Sequence, residues 1–148
     1  MLLAGIRRMH RMTDAATTVP QAWNEFRTRN ISSLLGSVPL RVMGAYCSMS
    51  NDSFEYLAGV EVDGFDNVPP DVGRMRIPEQ TYAVFTHRGH ASQVGQTWQY
   101  IWAEWLPQSG YEDGMTPPFE QFDERFDPDT GNGEFEIWMP VRKRGSTD

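Results

Sequence analysis

The chain has 148 residues, 39% hydrophobic and 12% aromatic, enough apolar mass for one folded domain and unlike a disordered composition. Its formal charge is −7, and residues 98–140 hold ten acids against one base, Arg125, a net −9 that repels phosphate backbones and excludes direct nucleic-acid binding. Cys47 stands alone, so no intrachain disulfide can form; Met1-Leu2-Leu3-Ala4 is too short for a signal-peptide core, no run reaches membrane-spanning length, and a cytoplasmic, membrane-free protein is expected.

Residues 5–13 alternate weakly and predict a first strand, with Ile6 and Met9 as its buried members. Thr18-Val19-Pro20-Gln21 has the form of a helix start: a Thr cap, Pro in the first turn and Gln placed for a capping box. Trp23, Phe26, Ile31, Leu34 and Leu35 follow at helical spacing, and Gly36 offers a C-terminal stop, so a helix is expected over about residues 19–35. Residues 40–47 predict a strand, Ser50-Asn51-Asp52-Ser53 a turn, and residues 54–62 the next strand. The connection 63–79 carries Pro69, Pro70 and Pro78, and its length suits a crossover loop. Residues 81–87 predict a strand, Arg88-Gly89 a turn, and residues 91–105 a second helix ended by Pro107. On that helix Val94, Trp98, Ile101, Trp102 and Trp105 form the core stripe.

The last stretch, residues 118–141, predicts a β-hairpin across the polar turn 127–133, in which Gly131-Asn132-Gly133 is turn chemistry and not a phosphate loop. Alternation puts Phe135, Ile137 and Met139 on one face, toward a core, and Glu134, Glu136 and Trp138 on the other. Glu120 and Phe122 repeat the pairing of an acid with an aromatic two residues away. Acid beside ring suits an apolar cation, because a ring face attracts positive charge and a carboxylate neutralises it. A solvated outer face with incidental aromatics fits the same letters.

The order strand–helix–strand–strand occurs twice, over about 5–62 and 80–141, as a repetition of element order rather than of residue identities. The expected fold is therefore α+β, a single domain over 1–148: tandem βαββ repeats forming an open antiparallel sheet, two helices on one face, and a ligand cleft between the repeats on the other. Glu120, Phe122, Glu136 and Trp138 are expected to share that cleft, the two acids close enough to share a proton.

Several stretches resemble one known family. Ile77 to Gly89, with Tyr82-Ala83-Val84-Phe85 and His87-Arg88-Gly89, Trp105-Leu106-Pro107 with Ser109-Gly110-Tyr111, Pro118-Phe119-Glu120, and Glu136-Ile137-Trp138-Met139-Pro140-Val141 are similar to motifs of the GyrI-like family, in that order. The family includes effector-binding domains of AraC-type and MerR-type regulators as well as stand-alone members. The resemblance implies paired βαββ repeats that bind small lipophilic cations among stacked aromatics around a buried glutamate. Glu120 and Glu136 fall at motif acids, Trp138 where a pocket aromatic is expected, and Tyr82 within a matching motif. Phe122 departs from the family's frequent Tyr, which makes that wall more apolar. No DNA-reading helix-turn-helix is legible, so any role in transcription is expected to run through a partner regulator.

Two other readings stand beside ligand sensing. Glu120 and Glu136 facing each other across a ligand could act as acid and base of a hydrolase for strained electrophiles, and a protein-interaction role such as gyrase inhibition is the third. His10, His87 and His90 lack metal-ligand spacing, so neither metal nor cofactor is expected, and Cys47 reads as a small buried hydrophobe.

Overall fold

The computed structural model describes residues 1–31 and 42–145. Its strands are β1 (Leu2–Arg11), β2 (Val42–Cys47), β3 (Ser53–Val62), β4 (Gly73–Arg76), β5 (Thr81–His90), β6 (Tyr111–Asp113), β7 (Phe119–Phe122), β8 (Phe126–Asp127) and β9 (Asn132–Lys143). They form one nine-stranded sheet in the order β4-β1-β3-β2-β7-β9-β5, with β6 and β8 also paired to β9, and every pairing is antiparallel. The spatial order β1-β3-β2 in the first repeat is reversed as β7-β9-β5 in the second, so the repeats meet at the β2·β7 seam about a pseudo-two-fold axis.

Helix α1 (Ala15–Thr28) packs Ala22 and Phe26 against Ile6, Tyr56 and Ala58 of the first repeat. Helix α2 (Val94–Tyr100), continued by a π-helical turn (Ile101–Trp105) and a last turn (Leu106–Gln108), covers Phe135, Ile137 and Met139 of the second. The cross-strand register places Tyr56 and Ile137 on the same face, so both helices lie on one side of the sheet. Phe135, Ile137 and Met139 are exposed by 1% or less, each burial worth about 2 kcal/mol of apolar surface removed from water. The opposite face carries a second core of Leu3, Met43, Ala45, Leu57, Met75, Ile77 and Phe119.

The structure refines several boundaries. Helix α1 begins at Ala15, ahead of Thr18, and Pro20 lies inside it; the Thr18 hydroxyl bonds His10 Nδ1 at 2.7 Å and caps nothing. Leu34, Leu35, Gly36, Leu40 and Arg41 lie outside the described residues, as does the end of the tail. Met9 is 58% exposed because it is three residues from Ile6, and a strand puts such residues on opposite faces. The crossover contains β4, which lines the outer edge of β1 from Leu2↔Arg76 to Gly5↔Gly73. Strand β5 runs through Arg88-Gly89 to His90. Helix α2 runs past Pro107: proline cannot donate to the carbonyl four residues back, and the chain absorbs this by bonding Leu106 N–H to Ile101 five back. Trp102, expected on the core stripe, is 45% exposed because Trp98, Ile101 and Trp105 take the inward positions.

The repeats share more than element order. His10 pairs across strands with Phe54 and bonds Thr18 of α1; His87 pairs with Phe135 and bonds Thr97 of α2, again at 2.7 Å. His87 Nε2 donates to the His90 carbonyl at 3.0 Å, so in the neutral ring Nδ1 accepts from Thr97. Two residues beyond the phenylalanines lie Tyr56 and Ile137, whose cross-strand partners are Tyr46 and Glu120. Tyr46 and Glu120 therefore occupy equivalent positions.

Candidate functional site

Glu120 stands mid-sheet on β7, opposite Gly44 of β2 on one side and Ile137 of β9 on the other. Its register sends the side chain to the helical face, where it is 4% exposed. Tyr46 donates its hydroxyl to Oε2 at 2.7 Å and Tyr56 donates to Oε1 at 3.3 Å. The Trp23 indole of α1 donates to the Tyr56 oxygen at 3.1 Å, extending the chain of neutral donors. Trp98 of α2 sets its ring edge-on to Tyr46, centroids 5.9 Å apart. The Trp98 N–H is buried and, among the described residues, outside bonding geometry to any acceptor, yet close enough to Glu120 to favour its charged form. No ion pair among the described residues involves Glu120.

Burial pushes the Glu120 carboxyl up to about 7, against the opposing pull of the Tyr46, Trp98 and Tyr56 donors. Burial and the nearby carboxylate drive both tyrosines well above 10, so they remain protonated donors. Gly44 makes this packing possible: a Cβ there would stand 1.9 Å from the Tyr56 hydroxyl. Phe122, two residues along β7, is buried on the same face and meets Trp23 edge-on at 5.5 Å. Trp23, Tyr46 and Trp98 are only partly buried. The result is a buried carboxyl with neutral donors around it and partly exposed rings from both helices beside them.

Tyr82, Glu136 and Trp138 lie on the other face. There Trp138 stacks on Phe119 at 5.4 Å and 15°, and Tyr82 meets both rings edge-on. Glu136 accepts from Trp138 Nε1 and Gln121 Nε2, each at 3.2 Å, and lies 3.7 Å from Arg125. The structure thus brings together Glu120 with Phe122, and separately Tyr82 with Trp138 and Glu136; the sheet separates the two glutamates. Register is the reason. Phe119↔Trp138 and Gln121↔Glu136 are the paired residues, and one residue's slip would have put Glu120 beside Glu136. An acid–base pair across one ligand is not formed by these two side chains.

Sequence reasoning missed Tyr46, Tyr56 and Trp23, and assigned Trp98 only to the core. A signal existed: a hairpin centred on Asn51 of the predicted turn pairs Tyr46 with Tyr56 by counting. Among the described residues no group of three or more His, Cys, Asp or Glu side chains could hold a metal, and no helix is long and apolar enough to cross a membrane.

Residues 1–142 match the family model of the GyrI-like small molecule binding domain. The transcriptional regulator BrlR of Pseudomonas aeruginosa is 33% identical over 126 residues, 84% of this chain and 46% of that protein, so the chain spans about half the length of this relative. Among solved structures, SAV2435 bound to tetraphenylphosphonium superposes with a TM-score of 0.72 at 17% identity, covering 96% of this chain and 88% of that one. An integron cassette protein from the mobile metagenome of Vibrio cholerae gives 0.68 at 17% identity, with 96% and 90% covered. A putative transcription regulation protein from Staphylococcus aureus gives 0.66 at 17% identity, with 96% and 92% covered. At these identities the structures support the fold alone.

Proposed function

The chain belongs to the GyrI-like small-molecule-binding domain family, and from that premise we propose that it binds lipophilic cations at Glu120 on the helical face of the sheet. The observation that carries this reading is a buried carboxyl that, among the described residues, is met only by neutral donors, with partly exposed rings beside it. An unpaired buried carboxylate is costly, so the empty site favours a proton. An apolar cation replaces that proton without requiring the site to hold water. The faces of Trp23, Tyr46 and Trp98 add attraction of about 0.5–2 kcal/mol per well-placed ring. Tetraphenylphosphonium, present in the SAV2435 structure, is a suitable probe because it is cationic and cannot donate a hydrogen bond.

Occupancy is communicated to transcription through a regulator, in keeping with the similarity to BrlR. Tyr82, Glu136 and Trp138 serve the opposite face and take no part in holding the cation at Glu120. Titration of tetraphenylphosphonium against intrinsic tryptophan fluorescence tests the reading, with tetraphenylmethane-like neutral isosteres as control. Saturable quenching that depends on the charge supports it, and Glu120→Gln should weaken binding by about 1–3 kcal/mol. Equal affinity for charged and neutral probes would refute the role given to the carboxylate.

A further inference from the structure

The two outer strands of the pseudo-symmetric sheet are treated differently. Strand β1, outermost in the first repeat, is capped by β4 over four consecutive pairs. Its counterpart β5 ends the sheet, and no described segment pairs with its outer side. Its inner side joins β9 through ten consecutive pairs without a bulge. It contains no proline, and Val84 is 46% exposed. A long, regular, uncapped edge displays free N–H and C=O groups to any extended strand, and natural proteins normally blunt such edges with charge, proline or a covering segment. The same molecule shows the alternative at β1.

We propose that β5 is a docking edge for a second copy of this chain, the two β5 strands pairing antiparallel across a two-fold axis near Val84 to give one continuous sheet. Charge singles out a second copy as the occupant. In a protein of formal charge −7, β5 carries exposed Arg88 and His90 and no acid, and antiparallel pairing about Val84 keeps the Arg88 side chains of the two copies at opposite ends of the contact. Exposed Glu79 precedes the strand at one end, and Arg88 is exposed at the other, bonded to Glu134 of its own sheet. Antiparallel pairing sets the Glu79 end of one copy beside the Arg88 end of the other, twice, which makes the edge self-complementary. An axis normal to the sheet keeps even residues against even ones, so Val84 meets its own copy and the four helices share one face. Ten residues span ~33 Å, and with side chains on both faces the pair buries roughly 1,000 Å², at the low end of specific interfaces. A reversible dimer follows.

Sedimentation velocity from low-micromolar to near-millimolar protein, with amide hydrogen exchange at both extremes, tests this. A monomer–dimer equilibrium is expected, with exchange slowing along β5 as concentration rises. Val84→Lys should weaken the dimer about tenfold, since an edge lysine opposes pairing. Should that variant melt well below wild type, Arg88→Glu provides the same weakening from an exposed site, and adding Glu79→Arg should restore association. A monomer at every concentration, a dimer whose β5 amides exchange at the monomer rate, or a dimer indifferent to these variants would each overturn the proposal. So would protection of β5 that requires another polypeptide.

Discussion

Replacing Glu120 with Gln keeps the side chain's size and an acceptor for Tyr46 while abolishing its titration. The wild-type carboxyl is held at about 7 by burial, against the ordinary glutamate value of 4.5. The folded-state value is the higher one, so the contribution of this group to stability is full below the unfolded value and is lost as pH rises through 7. At 1.36 kcal/mol per pH unit, the interval between the two values is worth about 3 kcal/mol. Wild type should therefore lose about 3 kcal/mol relative to the Gln variant between acid and mildly alkaline pH, or roughly 6–12 °C in melting temperature for a chain of this length. Circular-dichroism melts of both proteins across that range give the comparison, because every other titrating group cancels in the difference. Tetraphenylphosphonium at alkaline pH should then raise the wild-type midpoint and leave the variant's nearly unchanged. If the difference between the two melting curves is flat with pH, or widens in favour of wild type as pH rises, the carboxyl is not held in a dry site and the account of Glu120 fails.

The same carboxyl should make cation affinity pH-dependent: ionisation near 7 predicts about tenfold tighter binding at pH 8 than at pH 6, measured by fluorescence titration. Glu136→Gln, on the opposite face, should leave that affinity within about twofold, and a larger loss would show that the ligand reaches the other side of the sheet. Gly44→Ala should cost about 1–3 kcal/mol in urea unfolding, because its methyl group displaces the Tyr56 hydroxyl, and should raise the pH midpoint of cation binding. Thr97→Val removes the hydroxyl held by buried His87 and should cost about 1 kcal/mol, with Thr18→Val at His10 producing a similar loss; a neutral outcome at both would dismiss the repeated His–Thr contact as incidental.

Element order was readable because it depends on local letters: period-two runs, helical stripes and Gly/Pro/Asn punctuation. The apolar triplet Phe135, Ile137 and Met139 falls where alternation places it, against α2. Position across strands was not readable from alternation, which states which residues share a face of one strand but not how two strands align. Glu120 and Glu136 look alike in the sequence and stand on opposite sides of a sheet for that reason. Strand β4 escaped notice although Arg74-Met75-Arg76-Ile77 alternates polar with buried apolar residues, since the prolines around it read as loop. Thr18 and Pro20 imitate a helix start, whereas the tertiary contact of Thr18 with His10 decides its use. The tyrosines of the site come from β2 and β3, far in sequence from the acid that they meet, and only the folded seam makes them neighbours.

Tyr46 and Glu120 hold matching places in the two halves and bond one another across the pseudo-axis. Two identical halves could offer only hydroxyl against hydroxyl, which leaves no anion, or acid against acid, where one of the pair must stay neutral. Divergence of the halves within a single polypeptide removes that restriction: one side supplies a carboxyl and the other the hydroxyl that orients it. The interior is thereby polarised with a direction, and the proposed preference for a cationic over an anionic guest rests on that polarity.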